Sequence, residues 1–95
     1  MPYPQATATE QVDNDRVRVT EWRFAPGEAT GWHRHEFDYV VVPVVGGTLR
    51  LETSDGANEA ELVAGRSYFR EAGIEHDVVN AGDGEVVFVE VEIKP

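Results

Sequence analysis

Gly27-Glu28-Ala29-Thr30-Gly31-Trp32-His33-Arg34-His35-Glu36-Phe37-Asp38-Tyr39-Val40-Val41-Val42-Pro43-Val44-Val45-Gly46 is the stretch on which the rest of the chain turns. It carries two of the three histidines and ends in a β-branched run. On an extended strand, side chains two apart point the same way. His33 and His35 therefore set two imidazoles side by side, with Phe37 and Tyr39 on their face and Glu36 and Asp38 on the other. An HxH pair alone is most simply two surface histidines. His76 changes that balance, because it opens another β-like run, His76 to Asn80, which supplies a third imidazole from a neighbouring strand.

Outward from this stretch the chain keeps one rhythm of short β-branched and aromatic runs broken by turn residues. Val17 to Phe24 precedes Pro26-Gly27, Trp32 to Val45 precedes Gly46-Gly47, and Thr48 to Thr53 precedes Ser54-Asp55-Gly56. Leu62 to Arg70 leads to Gly73, and His76 to Asn80 leads to Ala81-Gly82-Asp83-Gly84. In the last run, Glu85 to Ile93, Val89, Val91 and Ile93 alternate with Glu90 and Glu92, which reads as one buried face and an outward acidic one. Those outward charges, with Lys94-Pro95, suit a blunted sheet edge. Ala57 to Ala64 alone has helical composition, and it is too short for a substantial helix. Seven or so strands without βαβ alternation predict an all-β antiparallel sandwich or barrel. Residues 1–12 read as an N-terminal arm able to pair with a sheet edge, and 13–95 as the barrel. Trp22, Phe24, Val41, Phe69 and Val78 read as core or pocket wall.

Composition narrows the functions. At 95 residues the chain is one domain, burying only about 60–65% of its unfolded surface. Eighteen acidic against eight basic side chains give a net charge of −10, which repels phosphate-rich partners and anionic membranes, so neither nucleic acid nor membrane is expected as a partner. With no cysteine there is no thiolate for zinc or catalysis, and a metal must use His, Asp, Glu or Tyr. The start Met1-Pro2-Tyr3-Pro4 lacks the basic region and apolar run of a secretory signal, so a soluble cytoplasmic protein is expected.

Two motifs spanning Gly27 to Asn80 resemble the cupin superfamily. The first family motif, G(X)5HXH(X)3,4E(X)6G, is matched by Gly27, His33, His35 and Gly46, with Tyr39 where the family carries a metal-binding glutamate. The second, G(X)5PXG(X)2H(X)3N, is matched by Gly65, Gly73, His76 and Asn80, with Glu71 in place of proline. The resemblance implies a double-stranded β-helix, a jelly-roll barrel, with a divalent transition metal (Fe, Zn, Ni, Mn, Co or Cu) held by His33, His35 and His76. The four motif glycines read as turn residues, since tight turns need φ values that other residues tolerate poorly. Asn80 is a turn or supporting residue. Gly31-Trp32-His33-Arg34-His35, Tyr68-Phe69-Arg70 and Gly73-Ile74-Glu75-His76 also look like small cupins labelled β-alanine degradation proteins, which points toward amino-acid or organic-acid catabolism.

The departures from the motif define the candidate chemistry. Three neutral imidazoles leave the charge of a dipositive ion uncompensated, so a small anionic or chelating ligand and a locally cationic pocket are expected. The catalytic candidates are Tyr39, either an aromatic wall or a polar group toward a metal-bound ligand, and Glu71, either a surface residue or a carboxylate at the barrel mouth. Arg70 either clamps a substrate carboxylate or pairs with Glu71 or another acid. The resulting expectation is a metal-dependent enzyme, of oxygenase or Lewis-acid type, acting on a small organic acid or keto compound; the alternative is a non-catalytic metal or small-molecule binding or sensing module. Val40, Val42 and Val44 alternate with Tyr39 and Val41, so both faces of that run are apolar, and a second copy is expected to cover the outer one in a homodimer.

Overall fold

A computed structural model describes residues 3–95; the first two residues of the expected arm lie outside them. Nine strands form, and no helix is present among the described residues. They are β1 (Thr7–Asp13), β2 (Val17–Phe24), β3 (His33–Arg34), β4 (Asp38–Val45), β5 (Gly47–Thr53), β6 (Gly56–Leu62), β7 (Tyr68–Arg70), β8 (Glu75–Asn80) and β9 (Val86–Ile93). Two antiparallel sheets, β1-β2-β9-β4-β7 and β3-β8-β5-β6, face each other as a double-stranded β-helix. The segment Ala57 to Leu62 is a strand, paired along its length with β5.

The long run Trp32 to Val45 does not form one strand. Between β3 and β4 the backbone of His35 turns to the β7–β8 loop, donating to the Ile74 carbonyl (2.9 Å) and accepting from the Gly73 N–H (2.8 Å). Gly73 makes this approach at φ +99°, a conformation costly for any residue with a Cβ. Gly46 serves differently from a φ-driven turn residue. Its φ is ordinary, but a Cβ there would collide with the Leu62 carbonyl oxygen.

The apolar core lies between the sheets, where Phe24, Val41, Leu49, Val78, Val86 and Phe88 are nearly inaccessible, with the Phe24 and Phe88 rings 5.4 Å apart. Asn80, also buried, donates from its amide to the carbonyls of Phe24 (3.2 Å) and Gly84 (2.8 Å), tying the β8–β9 turn to the end of β2. Phe69, expected in the core, is 51% exposed on the outer face instead.

β9 reverses the sequence expectation. It is the central strand of the larger sheet, paired with β2 and β4, and no edge at all. Its inward face is Phe88, Glu90 and Glu92, the two glutamates being 8% and 7% exposed, while Val89 and Val91 turn outward. A strand period of two assigns residues to faces without saying which face is inside. Here the outer face is apolar, and the inner one must line a polar site.

Candidate metal centre

His33 on β3 stands opposite His76 on β8 in direct register, and His35 is fixed by its two backbone bonds to the β7–β8 loop. The three rings meet edge to face, with centroids 4.7 to 5.2 Å apart. Their Nε2 atoms converge, His33 to His35 at 3.0 Å and His35 to His76 at 3.2 Å. Nitrogens sharing one first-row ion at about 2.0–2.1 Å stand roughly 3 Å from each other, so this donor set fits a divalent transition metal.

Protonation favours the same reading. The Nδ1 of His33 lies 2.8 Å from the Gly31 carbonyl oxygen, which only accepts, so Nδ1 carries the proton and Nε2 presents a lone pair. Gly31 is itself held by its N–H to the Asp77 carboxylate, 3.1 Å. Burial, reinforced by the neighbouring His33 imidazole, pushes both His35 and His76 down to about 4. Both are neutral at pH 7 and able to donate.

Tyr39 is 2% exposed and its ring lies flat on the His35 imidazole. Burial pushes its hydroxyl above the usual phenol range, with the Glu90 carboxylate adding to the shift, so the side chain stays neutral and is a poor phenolate ligand. Glu71 is exposed on the β7–β8 loop and lines neither of the two cavities that border the histidines. Glu36 and Asp38 face solvent as expected.

The inward carboxylates that reach the site are Glu90 and Glu92, which parity on an assumed outer face had hidden. Glu90 borders both a cavity of about 430 Å³ beside His76, Tyr39 and Arg70 and a groove of about 400 Å³ beside His33 and His35. Burial pushes its carboxyl up to about 7, and the charge of Glu92 adds to this, against the Trp22 indole N–H and the Arg18 guanidinium. Glu92 differs, because Arg18 grips it through two N–H bonds of 2.7 and 2.9 Å. The expectation of a pocket without carboxylates is therefore corrected: one inward acid is neutralised by Arg18, and the other is free to hold or release a proton near neutral pH. One signal was available in sequence, since the apolar run Val86-Val87-Phe88 suits a central strand covered on both faces, whose acids then have to point into a cavity.

A family model described as "Cupin domain" matches residues 20–92. The chain is 66% identical over 91 residues to the Beta-alanine degradation protein BauB of Pseudomonas aeruginosa, with 96% of each chain covered. A solved cupin domain from Bordetella pertussis Tohama I is 57% identical and superposes with a TM-score of 0.95, covering 100% of this chain and 99% of that one. The polyketide cyclase RemF from Streptomyces resistomycificus, at 23% identity and a TM-score of 0.76 over 99% of this chain and 69% of its own, shares the fold alone.

Proposed function

The chain belongs to the cupin family, and from that premise we propose that it is a metal-dependent enzyme acting on a small organic acid or keto compound in β-alanine degradation, with His33, His35 and His76 as the ligands. The convergence of three Nε2 atoms, His33 to His35 at 3.0 Å and His35 to His76 at 3.2 Å, carries this reading. The degradative role is drawn from the relative's name. A divalent ion in this site supplies a Lewis acid for a substrate oxygen, or a centre for dioxygen activation.

The chain's own residues supply the rest. Gly31 and Asp77 keep His33 in the ligating tautomer, and Tyr39 keeps the His35 ring in plane. Glu90, whose affinity for a proton is matched to neutral pH, takes or returns one at a substrate held in the cavity. The apolar walls exclude bulk water from that transfer.

Elemental analysis of the parent beside a His33→Ala, His76→Ala double variant tests the ligands. The parent is expected to hold a transition metal near one per chain and the variant none; equal, near-zero metal in both after reconstitution overturns the reading. Oxygen uptake with Fe(II) across diketones and organic acids then separates oxygenase from Lewis-acid chemistry. A metal-loaded protein that turns over no member of a wider hydrolysis and isomerisation panel is a binding module instead.

A further inference from the structure

Arg70 lines the 430 Å³ cavity and is its only cationic side chain among the described residues. Arg18, Arg23, Arg34, Arg50 and Lys94 each have a carboxylate within ion-pair distance, whereas Arg70, like Arg16 and Arg66, has none among the described residues, and of these three only Arg70 lines the cavity. Its guanidinium is nevertheless held, lying over the Tyr68 ring at 4.4 Å with one N–H donated to the Phe69 carbonyl at 3.0 Å. A guanidinium has five N–H donors in a rigid fork that matches a carboxylate, so most of the capacity of this exposed one is left to water or a ligand. Its positive field reaches into the cavity, drawing the Tyr39 and Tyr68 hydroxyls toward lower pKa against the effect of burial.

Register fixes where Arg70 stands relative to the histidines. It pairs with Tyr39 across β7 and β4, and Tyr39 in turn covers His35. The cation and the imidazole cluster are thus separated by one aromatic ring and border one cavity, whose lining holds the apolar side chains of Leu49, Leu51, Ile74 and Val78 beside the acids Glu61 and Glu90. A ligand without an apolar stretch would leave those apolar side chains uncovered, and an uncharged one would leave the guanidinium unpaired.

We propose that Arg70 is the carboxylate anchor of this cavity, and that its ligand is a small carboxylic acid whose chain lies along the apolar side chains and whose far end is directed at His76. The assignment rests on the functional reading above only for the role of the far end; the carboxylate subsite stands on Arg70 itself. It names the acid end of the substrate class and a residue that selects it.

The test uses the full chain after chelator treatment, so that carboxylate affinity reports on Arg70 and not on an ion. Pentanoate and pentanamide, equal in shape and different in charge, are titrated by amide chemical-shift perturbation against the parent, Arg70→Gln and Arg70→Lys. The parent is expected to bind pentanoate at least tenfold more tightly than pentanamide, Arg70→Gln to lose that preference, and Arg70→Lys to recover part of it. Equal affinity for acid and amide, undiminished pentanoate binding in Arg70→Gln, or no pentanoate binding by the parent overturns the proposal. Dispersed spectra show that the variants are folded. Metal content of Arg70→Gln, measured separately, leaves the histidine site to succeed or fail on its own.

Discussion

The ring of Tyr39 lies on the imidazole of His35 with centroids 3.9 Å apart and planes 15° from parallel. In the family motif this position carries a carboxylate ligand; here an aromatic face fills it and fixes the orientation of the His35 imidazole. Tyr39→Phe keeps the face and is expected to leave metal affinity within about twofold. Tyr39→Ala removes a buried ring, which costs about 3–5 kcal/mol in a packed core, and frees His35 to rotate. Metal affinity by competition with a chromophoric chelator, beside denaturant unfolding, separates the two. A large loss of affinity in Tyr39→Phe would show that the hydroxyl matters.

Gly73 links backbone conformation to the same histidine. Its N–H holds the His35 carbonyl at 2.8 Å from φ +99°, and an added Cβ would meet nothing closer than Arg34 at 3.8 Å. Gly73→Ala therefore acts through backbone strain alone, about 1–2 kcal/mol, and is expected to weaken metal binding as well as stability. Gly56, at φ +119° in the distant β5–β6 hairpin, is the control. Gly56→Ala should destabilise comparably and leave metal affinity unchanged, and equal metal affinities in the two variants would show that the Gly73 contact does not position His35.

The outer face of the larger sheet carries an apolar row through all five strands. Phe69, Val40, Val91, Val19 and Val12 are successive register partners, and the two end residues are 51% and 40% exposed. A two-fold axis across such a row brings like residues together, so a second copy is the expected cover. Light scattering at micromolar concentration should give twice the 10.5 kDa chain mass, and a Phe69→Glu, Val91→Lys variant should halve it. A monomeric parent would contradict the expectation.

Much of this was legible in the chain because local patterns and ligand chemistry agree. β2 runs from Val17 to Phe24 as its β-branched alternation requires, and His33 meets His76 in register across β3 and β8, while His35 joins them through backbone bonds to Gly73 and Ile74 that a strand period does not foresee. The inward direction of β9 was not legible. Val89, Val91, Glu90 and Glu92 alternate without ambiguity, yet the usual rule of acid outward is reversed where a strand's inner face borders a cavity and its outer face is apolar. The same reversal hid Glu90. Phe69 misled for a related reason, since aromatic character marks burial only where the opposite face is not itself apolar.

Glu90 supplies a signed pH test. Its carboxyl is raised to about 7 in the folded chain, by burial first, against about 4.3 for an exposed glutamate. Between these values the folded chain holds a proton that the unfolded chain has released, so stability falls as pH rises through the window and levels off above it. The contribution is fully present below about pH 4 and lost above about pH 7, a change on the order of 3 kcal/mol. Glu90→Gln keeps the shape and has no proton to lose. In chelator-treated protein it should unfold with nearly the parent's free energy at pH 4.5 and with a higher one at pH 8, the histidine titrations cancelling in the difference to first order. Denaturant melts of the two proteins across pH 4.5–8 read this directly. A difference that stays flat across the window, or shrinks as pH rises, would mean that the Glu90 carboxyl is not the raised group.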